Sequence, residues 1–271
     1  MERVIVCLKP VPDPQAWDRL RLDPMTKTLV RDEIPNVINP LDKHALEAAL
    51  EVKDAYGAEV VLLSMAPAHT LPVLREALAM GADRAVLLSD QWFAGSDTLA
   101  TARILATAIR RLEPFDLVCC GNFTLDGSTA QVPSQIAELL GIPNIMHVSA
   151  MEFRQAGPLL VTQKIEQGLV KLEAEPPLLL SFIKEANKPR YSSFLEILAA
   201  ETREIAVWTR IAAAWKRYCE DHGLTTVPVQ EAQRIIGALA GISMGLDPCA
   251  GPNPLDEATA KKLMKCYFTP Y

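Results

Sequence analysis

Four short, almost uninterrupted apolar runs constrain the fold of this chain more than any other feature. They cover residues 4–8, 59–65, 85–88 and 117–120, and amphipathic stretches separate them. A strand with one solvent-exposed face alternates apolar and polar residues, whereas a strand buried on both faces is apolar throughout. The four runs therefore predict the central strands of a buried parallel sheet.

The stretches between the runs have helical spacing. Their apolar stripes are Ala45, Leu46, Ala49 and Leu50, then Leu99, Ala102, Leu105, Ala106 and Ile109, then Val132, Ile136, Leu139 and Leu140. Asp97 stands just before the second stripe, in the place of an N-cap residue. Repeated strand–helix units predict an α/β fold with a doubly wound, mostly parallel sheet of the Rossmann-like, adenine-nucleotide-binding kind.

Three regions depart from this alternation. Residues 17–31 interrupt the first crossover, and their pattern predicts a hairpin insertion. From Met146 onward, runs at 146–153, 159–165, 169–172 and 178–183 predict further strands, some of them antiparallel. Helical patterns at 211–220 and 229–239 precede a Gly- and Pro-rich tail. We therefore expect an α/β nucleotide-binding domain at 1–210 and a C-terminal helical arm at 211–271 that contacts a partner subunit.

Composition argues against several classes of function. The net charge is −6, whereas nucleic-acid binders usually carry a basic excess, so we expect no nucleic-acid partner. No signal-peptide pattern opens the sequence and no run of about 18 apolar residues occurs, which predicts a cytoplasmic protein without a membrane span. The six cysteines form no CxxC pair, so free thiols are expected. Only Cys219 and His222 form a close Cys/His pair, which argues against a metal site.

Common enzyme motifs are mostly missing. The sequence contains no GxGxxG, GxxxxGK[ST] or HExxH pattern, and its four histidines have no local partners that suggest a triad. We therefore predict no catalytic residue in this chain.

Residues 120–133 form the strongest candidate binding segment. A buried strand ends at Gly121, a polar loop follows, and small residues open the next helix. Ligands of open α/β sheets bind beyond the carboxyl ends of the strands, where a helix N-terminus offers N–H donors to a phosphate. The alternative is that Asp126, Ser128 and Thr129 only form turns and caps. The residues alone leave both interpretations open.

Other predicted strand ends converge on the same edge. Residues 9–13 leave the first strand and residues 64–67 leave the second. Asn39 and Pro40 open the first helix, where Asn is a favoured N-cap and Pro a favoured first helical residue. Each feature has a purely structural explanation, but together they describe a nucleotide cleft lined by backbone groups.

Several long blocks of the sequence resemble the β-subunit (small subunit) of electron-transfer flavoproteins. The blocks are Lys9-Pro10-Val11-Pro12-Asp13, Asn39-Pro40-Leu41-Asp42, residues 74–85, residues 116–118, Asp126-Gly127-Ser128-Thr129-Ala130-Gln131-Val132 and Asn187-Lys188-Pro189-Arg190-Tyr191. Residues 163–179 resemble a degraded form of the family signature. The match extends in order over roughly residues 1–208.

The resemblance implies a heterodimer with a larger α-subunit, whose FAD exchanges electrons with an acyl-CoA dehydrogenase-like flavoprotein. In ordinary members the β-subunit holds a structural AMP. In electron-bifurcating members the same cleft holds a second FAD that takes hydride from NADH, with ferredoxin or flavodoxin as the low-potential acceptor. The resemblance thus implies an electron-transfer subunit of an NADH-dependent flavoprotein complex, inactive by itself.

The loop at 126–132 favours the bifurcating type. Bifurcating members read Asp-Gly-Asp-Thr-Ala-Gln-Val-Gly-Pro, whereas AMP-binding members carry an acidic run followed by Asn-Gln-Thr-Gly. This chain keeps Asp126-Gly127 and Thr129-Ala130-Gln131-Val132, but it has Ser128, Pro133 and Ser134 at the remaining positions. Asn122 and Phe123 replace a common Arg and Gln, which removes a cation near the flavin. FAD is therefore the expected cofactor, and AMP the alternative.

Family roles carry over to individual residues as follows. Phosphate contacts fall to Thr129, Ala130, Gln131 and Val132, in the same loop as Asp126. The adenosine or isoalloxazine part is assigned to Val11, Asn39, Asp42, Ser64, Met65 and Ala66, and a ribose or phosphate edge to Asp97. Residues 189–197 are expected to form a protruding recognition loop whose apolar tip is Phe194 and Leu195. The alternative for the tip is a short helix packed against the sheet.

An ATP-dependent ligase or signalling module would share the cleft. Such a protein needs a set of Lys and Arg side chains for a triphosphate, and the predicted cleft lacks one.

Overall fold

The computed structural model describes residues 1–19, 21–22, 29–30, 34–90, 93–152 and 158–209. The chain divides into two units, one of Met1–Leu88 and Gly95–Ala206, the other of Ser89–Ala94 and Val207–Tyr271. In the second unit, the Ser89 N–H donates to the Trp208 carbonyl at 3.0 Å. The predicted arm at 211–271 lies outside the described residues and stays a prediction.

Thirteen short strands occur in the described residues. They are β1 (Arg3–Cys7), β2 (Pro10–Pro12), β3 (Arg21–Leu22), β4 (Leu29–Val30), β5 (Asn36–Ile38), β6 (Glu59–Met65), β7 (Arg84–Leu88), β8 (Leu117–Gly121), β9 (Asn144–Glu152), β10 (Leu159–Ile165), β11 (Gly168–Ala174), β12 (Leu178–Phe182) and β13 (Ile205–Trp208). Eight of them lie side by side in the order β11-β10-β9-β12-β8-β1-β6-β7. The neighbouring pairs from β9 through β12, β8, β1 and β6 to β7 are parallel. Strand β10 is antiparallel to both of its neighbours, β9 and β11.

Five α-helices occur in the part of the chain that the structure describes: α1 (Pro40–Tyr56), α2 (Leu71–Ala79), α3 (Thr98–Arg110), α4 (Val132–Leu140) and α5 (Phe194–Thr202). Helices α1 and α2 pack in one apolar cluster with alternate strand residues such as Val4 and Val6. The intervening residue Ile5 is also fully buried, on the face that α3 and α4 cover. Helices on both faces explain why the central strands are apolar throughout, and the predicted doubly wound, mostly parallel sheet is confirmed.

The predicted strands agree with the structure, whereas one residue of a predicted helical stripe does not. The four runs form β1, β6, β7 and β8, and the later runs form β9 to β12. The pair β3–β4 is antiparallel, as expected for the inserted hairpin. Leu99 was grouped with the buried stripe of α3, but its side chain is exposed because it lies on the first turn, away from the sheet. No helix in the described part of the chain combines the length and apolar character that a membrane crossing needs.

Candidate functional site

The carboxyl ends of the parallel strands bring the predicted segments together at one edge of the sheet. Strands β1, β6, β8 and β12 run in the same direction, so the residues that follow them share that edge. Lys9 follows β1, Asn122 follows β8, and α1 begins beside them at Pro40. Contacts among these segments define the candidate site.

Asp42 is the central acceptor of this edge. Its buried carboxylate accepts hydrogen bonds from the Lys9 N–H at 2.7 Å, the Asn39 side-chain amide at 3.0 Å and the Gly121 N–H at 3.2 Å. Burial raises the pKa of Asp42 to about 7, while these N–H donors and the Lys9 charge oppose the rise. The sequence assigns Asp42 to the lining of the adenosine or isoalloxazine part, and that role stays a prediction. In the structure its carboxylate joins β1, α1 and β8 at this edge.

This raised pKa makes stability depend on pH. Between pH 3.8 and about 7 the folded protein binds more protons at Asp42 than the unfolded chain does. The free energy of unfolding therefore falls as the pH rises through this window. The shift corresponds to roughly 4 kcal/mol over the whole window. Urea unfolding at pH 5, 6, 7 and 8 should show the loss in the wild type and a smaller slope in Asp42→Asn. Equal slopes in the two proteins would show that Asp42 is not the source of the pH dependence.

Asn39 occupies the N-cap position of α1, as predicted, but its side chain does not cap the helix. The amide nitrogen donates to the Phe123 carbonyl at 2.9 Å as well as to Asp42, and the amide oxygen accepts from the Leu125 N–H at 3.3 Å. The expectation of a side-chain cap was wrong because the Asn39 amide bonds instead to Asp42 and to the backbone of Phe123 and Leu125, which lie more than 80 residues away in sequence. Asn39 thereby fixes the start of the loop that follows β8.

Asp126 forms an ion pair across the edge. Its carboxylate lies 2.8 Å from the Lys9 ammonium, and its side chain is only 7% exposed. Lys9 is more exposed, so its charge faces the rim of the site. The ion pair links the loop after β8 to the end of β1. A residue that only formed a turn would not need this partner.

The predicted phosphate loop is exposed and has an unusual backbone. Ser128 and Ala130 adopt left-handed φ values of 50° and 54°, and Gln131 returns to the right-handed helical region. Such alternation turns successive N–H groups toward one side, forming a concavity that suits an anion. Thr129, Ala130 and Gln131 are exposed, and Gln131 makes no side-chain cap at the start of α4. Pro133 lies in the first turn of α4, where its missing N–H is tolerated.

The N-terminus of α3 lies beside this loop. Asp97 caps α3 as predicted, accepting from the Ala100 N–H at 2.7 Å. The Thr98 hydroxyl lies 3.0 Å from the Gln131 side-chain oxygen and 3.4 Å from the Gln135 amide nitrogen. Two helix N-termini therefore meet at the loop, and both contribute partial positive charge. Sequence reasoning missed Thr98 and Gln135, whose only signal was their position at helix starts.

Two buried polar atoms at this edge lack a hydrogen-bond partner among the described residues: the Ser64 hydroxyl oxygen and the Gln135 amide oxygen. Buried polar groups are normally satisfied, so unsatisfied atoms beside a cleft are compatible with a polar ligand. Ser64 and Val11 are completely buried, whereas Met65 and Ala66 are half-buried at the end of β6. The structure thus brings Asn39 and Asp42 into direct contact and links Asp126 to Asp42 through Lys9. Val11 and Ser64 lie buried behind the edge.

A cavity of about 950 Å³ opens next to this edge. Its lining includes Leu41, Phe123, His147, Lys164 and Ile183. His147 has a left-handed φ of 56° within β9, at a point where the register against β12 shifts. Sequence reasoning did not predict the cavity; its only signal was the family-like stretch that begins at Gln163.

The expected recognition segment has a different form from the prediction. Residues 189–193 have no regular secondary structure, but α5 starts at Phe194, so the second half of the predicted loop is a helix. Phe194 is 73% exposed and Leu195 is 76% exposed. The alternative in which both side chains pack against the sheet is therefore wrong, and the apolar tip is presented on a helix.

Comparison with known proteins agrees with this geometry. The model of the electron transfer flavoprotein domain matches residues 26–213. The electron transfer flavoprotein subunit beta of Clostridium acetobutylicum is 46% identical over 206 residues, which are 76% of this chain and 78% of the relative. The caffeyl-CoA reductase-Etf complex subunit CarD of Acetobacterium woodii is 42% identical over 207 residues (76% and 78%), and protein FixA of Azorhizobium caulinodans is 41% identical over 212 residues (76% and 74%). The chain therefore belongs to the electron transfer flavoprotein family and is related to its β-subunits.

Proposed function

We propose that this chain is the β-subunit of a heterodimeric electron-transfer flavoprotein of the bifurcating type. In this proposal it binds FAD at the carboxyl edge of the sheet and passes electrons from NADH to the FAD of an α-subunit and to a low-potential acceptor. The observation that carries the proposal is the exposed loop at 128–131, in which Ser128 and Ala130 are left-handed, beside the N-termini of α3 and α4. A dinucleotide brings a doubly charged pyrophosphate, and this loop offers N–H groups and two helix ends to it.

The residues present fit a dinucleotide. Ala130 has a small side chain at the turn into α4, so the backbone is accessible to a phosphate. The unsatisfied Ser64 and Gln135 oxygens supply polar contacts near the ends of β6 and α4. The neighbouring cavity has the size of a small-molecule site, and its wall combines Leu41 and Phe123 with polar groups, as suits a planar ring.

The bound flavin would supply the hydride and single-electron chemistry, and the chain would position it. Thr129, Ala130, Gln131 and Val132 would hold the phosphates, with Asp97 at a ribose or phosphate edge. The loop after β8 would be held in place beneath the ligand by Asn39, Asp42 and Asp126, through their hydrogen bonds to Lys9 and Phe123. No described residue is assigned to bond making or breaking.

The proposed partners follow from the relatives and from the exposed surface. The α-subunit is proposed because one relative is named as the subunit beta of a flavoprotein and another as a subunit of a complex. An acyl-CoA dehydrogenase-like flavoprotein is proposed as the partner of α5, whose apolar side chains face solvent. Ferredoxin or flavodoxin is proposed as the low-potential acceptor.

A β-subunit that holds a structural AMP is the second candidate. It is favoured by Asn122, which stands where a cation is common and whose side chain is buried against Ser181 at 3.4 Å. A subunit with no redox role in this cleft would not need a cation there. Its task would be structural support and the docking of an acyl-CoA-type dehydrogenase.

Nucleotide content distinguishes the two candidates. We expect the purified αβ complex to release two FAD molecules and no AMP, because the pyrophosphate needs the open loop around Ala130. Acid extraction followed by chromatography against FAD and AMP standards measures both nucleotides. One FAD and one AMP per complex would contradict the bifurcating assignment and support the second candidate.

A further inference from the structure

The cysteines of the two central strands divide between the two faces of the sheet. Cys7 ends β1, and Cys119 and Cys120 are neighbours in β8. Successive residues of a strand point to opposite faces. Cys119 belongs to the apolar cluster that α1 and α2 share with the sheet. Cys120 and its register partner Cys7 therefore lie on the other face, which α3 and α4 cover.

Cys7 and Cys120 lie directly opposite each other. The parallel ladder pairs Cys7 with Cys120 and Val6 with Cys119, and the three cysteines are free thiols. Register partners on neighbouring strands have Cα atoms about 4.8 Å apart, within the roughly 4.4–6.8 Å that a disulfide spans. Their side chains project from the same face, so the two sulfurs can meet without a turn of the backbone. Cys119 points away from Cys7 and cannot take the place of Cys120.

The two thiols are already in contact. A hydrogen bond with Cys7, together with burial, holds the pKa of the Cys120 thiol well above its ordinary value. A bond that raises this pKa stabilises the protonated form, so Cys120 donates its S–H and the Cys7 sulfur accepts it. Cys7 is 9% exposed, whereas Cys120 is 4% exposed. A small reagent therefore reaches the Cys7 sulfur first, with Cys120 beside it.

The pair lies at the carboxyl edge, next to the backbone that holds Asp42. Lys9 follows Cys7 by two residues and Gly121 follows Cys120 directly, and the N–H groups of Lys9 and Gly121 both donate to the Asp42 carboxylate. The proposed nucleotide site uses neither sulfur. A buried cysteine often serves only as a small apolar side chain. Two buried thiols in register and in hydrogen-bond contact have, in addition, the arrangement that a disulfide needs.

We propose that Cys7 and Cys120 are an oxidation site, a dithiol that hydrogen peroxide converts to a disulfide between β1 and β8. The Cys7 thiolate attacks one oxygen of the peroxide, the O–O bond breaks, and Cys7 sulfenic acid and hydroxide form. The Cys120 sulfur then attacks the Cys7 sulfur, and its proton leaves with the hydroxyl group as water. The two thiols lose two hydrogens and two electrons, and the peroxide is reduced to two waters. This site goes beyond the proposed function and does not depend on which nucleotide the chain binds.

The test exposes the full chain, purified with its α-subunit, to a slight molar excess of hydrogen peroxide. We expect a non-reducing digest to contain the peptide of Cys7 linked to the peptide that carries Cys119 and Cys120. Dithiothreitol should restore both thiols, because a disulfide is reversible whereas sulfonic acid is not. Mass spectrometry identifies the linked peptides and distinguishes them from those of the other cysteines.

Three alanine variants assign the sulfurs. Cys119→Ala is the matched control, since it removes the neighbouring thiol on the opposite face, and the link should form at the wild-type yield. Cys7→Ala and Cys120→Ala should each lower the yield at least about tenfold, because only the register pair has the geometry of a disulfide. In Cys120→Ala the sulfenic acid of Cys7 has no thiol to close with, so dimedone should label Cys7. Unfolding midpoints show whether each variant is folded.

Three results would overturn the proposal. A link that survives in Cys120→Ala, or that disappears in a folded Cys119→Ala, would mean that the register pair is not the oxidised pair. Peroxide that leaves Cys7 unmodified in the folded complex, but modifies it in urea, would show that both thiols are inert core residues. An equal yield of the link in urea and in the folded complex would show that strand register does not bring the thiols together. These results do not depend on the nucleotide content of the complex, so they are independent of the proposed function.

Discussion

Replacing Ala130 with Asp is expected to lower the flavin content of the αβ complex from two FAD molecules to one. The substitution places a negative charge at the turn into α4, where the pyrophosphate of the proposed FAD would lie. The new carboxylate repels the pyrophosphate and offsets the attraction of the helix N-terminus for it. The cleft should lose roughly 1–3 kcal/mol of affinity, the range for an unpaired, partly buried charge. The FAD of the α-subunit should remain. Flavin absorbance after acid release, divided by protein concentration, gives the stoichiometry.

Two control variants isolate the effect of the charge. Ala130→Asn has nearly the size of Asp without its charge, and Ala130→Gly relieves the left-handed backbone at φ 54° without adding atoms. We expect Ala130→Gly to keep two FAD molecules and Ala130→Asn to fall between the wild type and Ala130→Asp. If the Ala130→Asp complex still contains two FAD molecules, the pyrophosphate does not lie at residue 130.

The sheet was predictable because burial on two faces leaves a direct mark on the sequence. Every residue of β8, from Leu117 to Gly121, is buried, and its sequence is correspondingly free of charge. Helix α3 was predictable from its stripe and from Asp97, whose cap acts within four residues of sequence. The order of the strands was not predictable in detail, since it depends on pairings between segments as distant as β8 and β12.

The candidate site was predictable in position but not in its contacts. Parallel strand ends meet at one edge, so grouping Asn39, Asp42 and the loop at 126–132 was sound. The hydrogen bonds of Asn39 to Phe123 and Leu125, and the pairing of Lys9 with Asp126, depend on side-chain directions that the sequence does not encode locally. The cavity was missed for a similar reason, because its far wall comes from the antiparallel part of the sheet.

The form of the docking segment could have been predicted better. Ser193-Phe194-Leu195-Glu196 has the spacing of a capping box, Ser at the N-cap and Glu three residues later, and the structure contains both of its hydrogen bonds. This local signal predicts a helix from Phe194, whereas we expected a loop through residue 197. The exposure of the apolar side chains was not readable from their spacing, because such a pattern more often marks a buried face.

Replacing Gly121 with Ala is expected to destabilise the fold by roughly 3 kcal/mol, the upper end of the usual cost of overpacking. A Cβ at this position would lie 2.3 Å from an Asp42 carboxylate oxygen and 2.9 Å from the Asp42 nitrogen and the Leu41 carbonyl carbon. Two of these three atoms belong to the backbone of α1, so a rotamer change does not relieve the clash. The helix start and the end of β8 must separate, which also breaks the bond from the Gly121 N–H to Asp42. Thermal unfolding of the αβ complex should show a midpoint lower by about 6–10 °C.

Gly127→Ala is the matched control within the same loop. A Cβ there would meet only the Thr124 hydroxyl at 3.5 Å and the Lys9 ammonium at 4.0 Å, which are ordinary contacts. Its midpoint should stay close to that of the wild type. Combining Gly121→Ala with Asp42→Ala tests the cause, because removal of the carboxylate relieves the closest contact and the double variant should lose less stability than the sum of the two single variants. Strict additivity would show that Gly121 and Asp42 do not act through the close approach of α1 to β8.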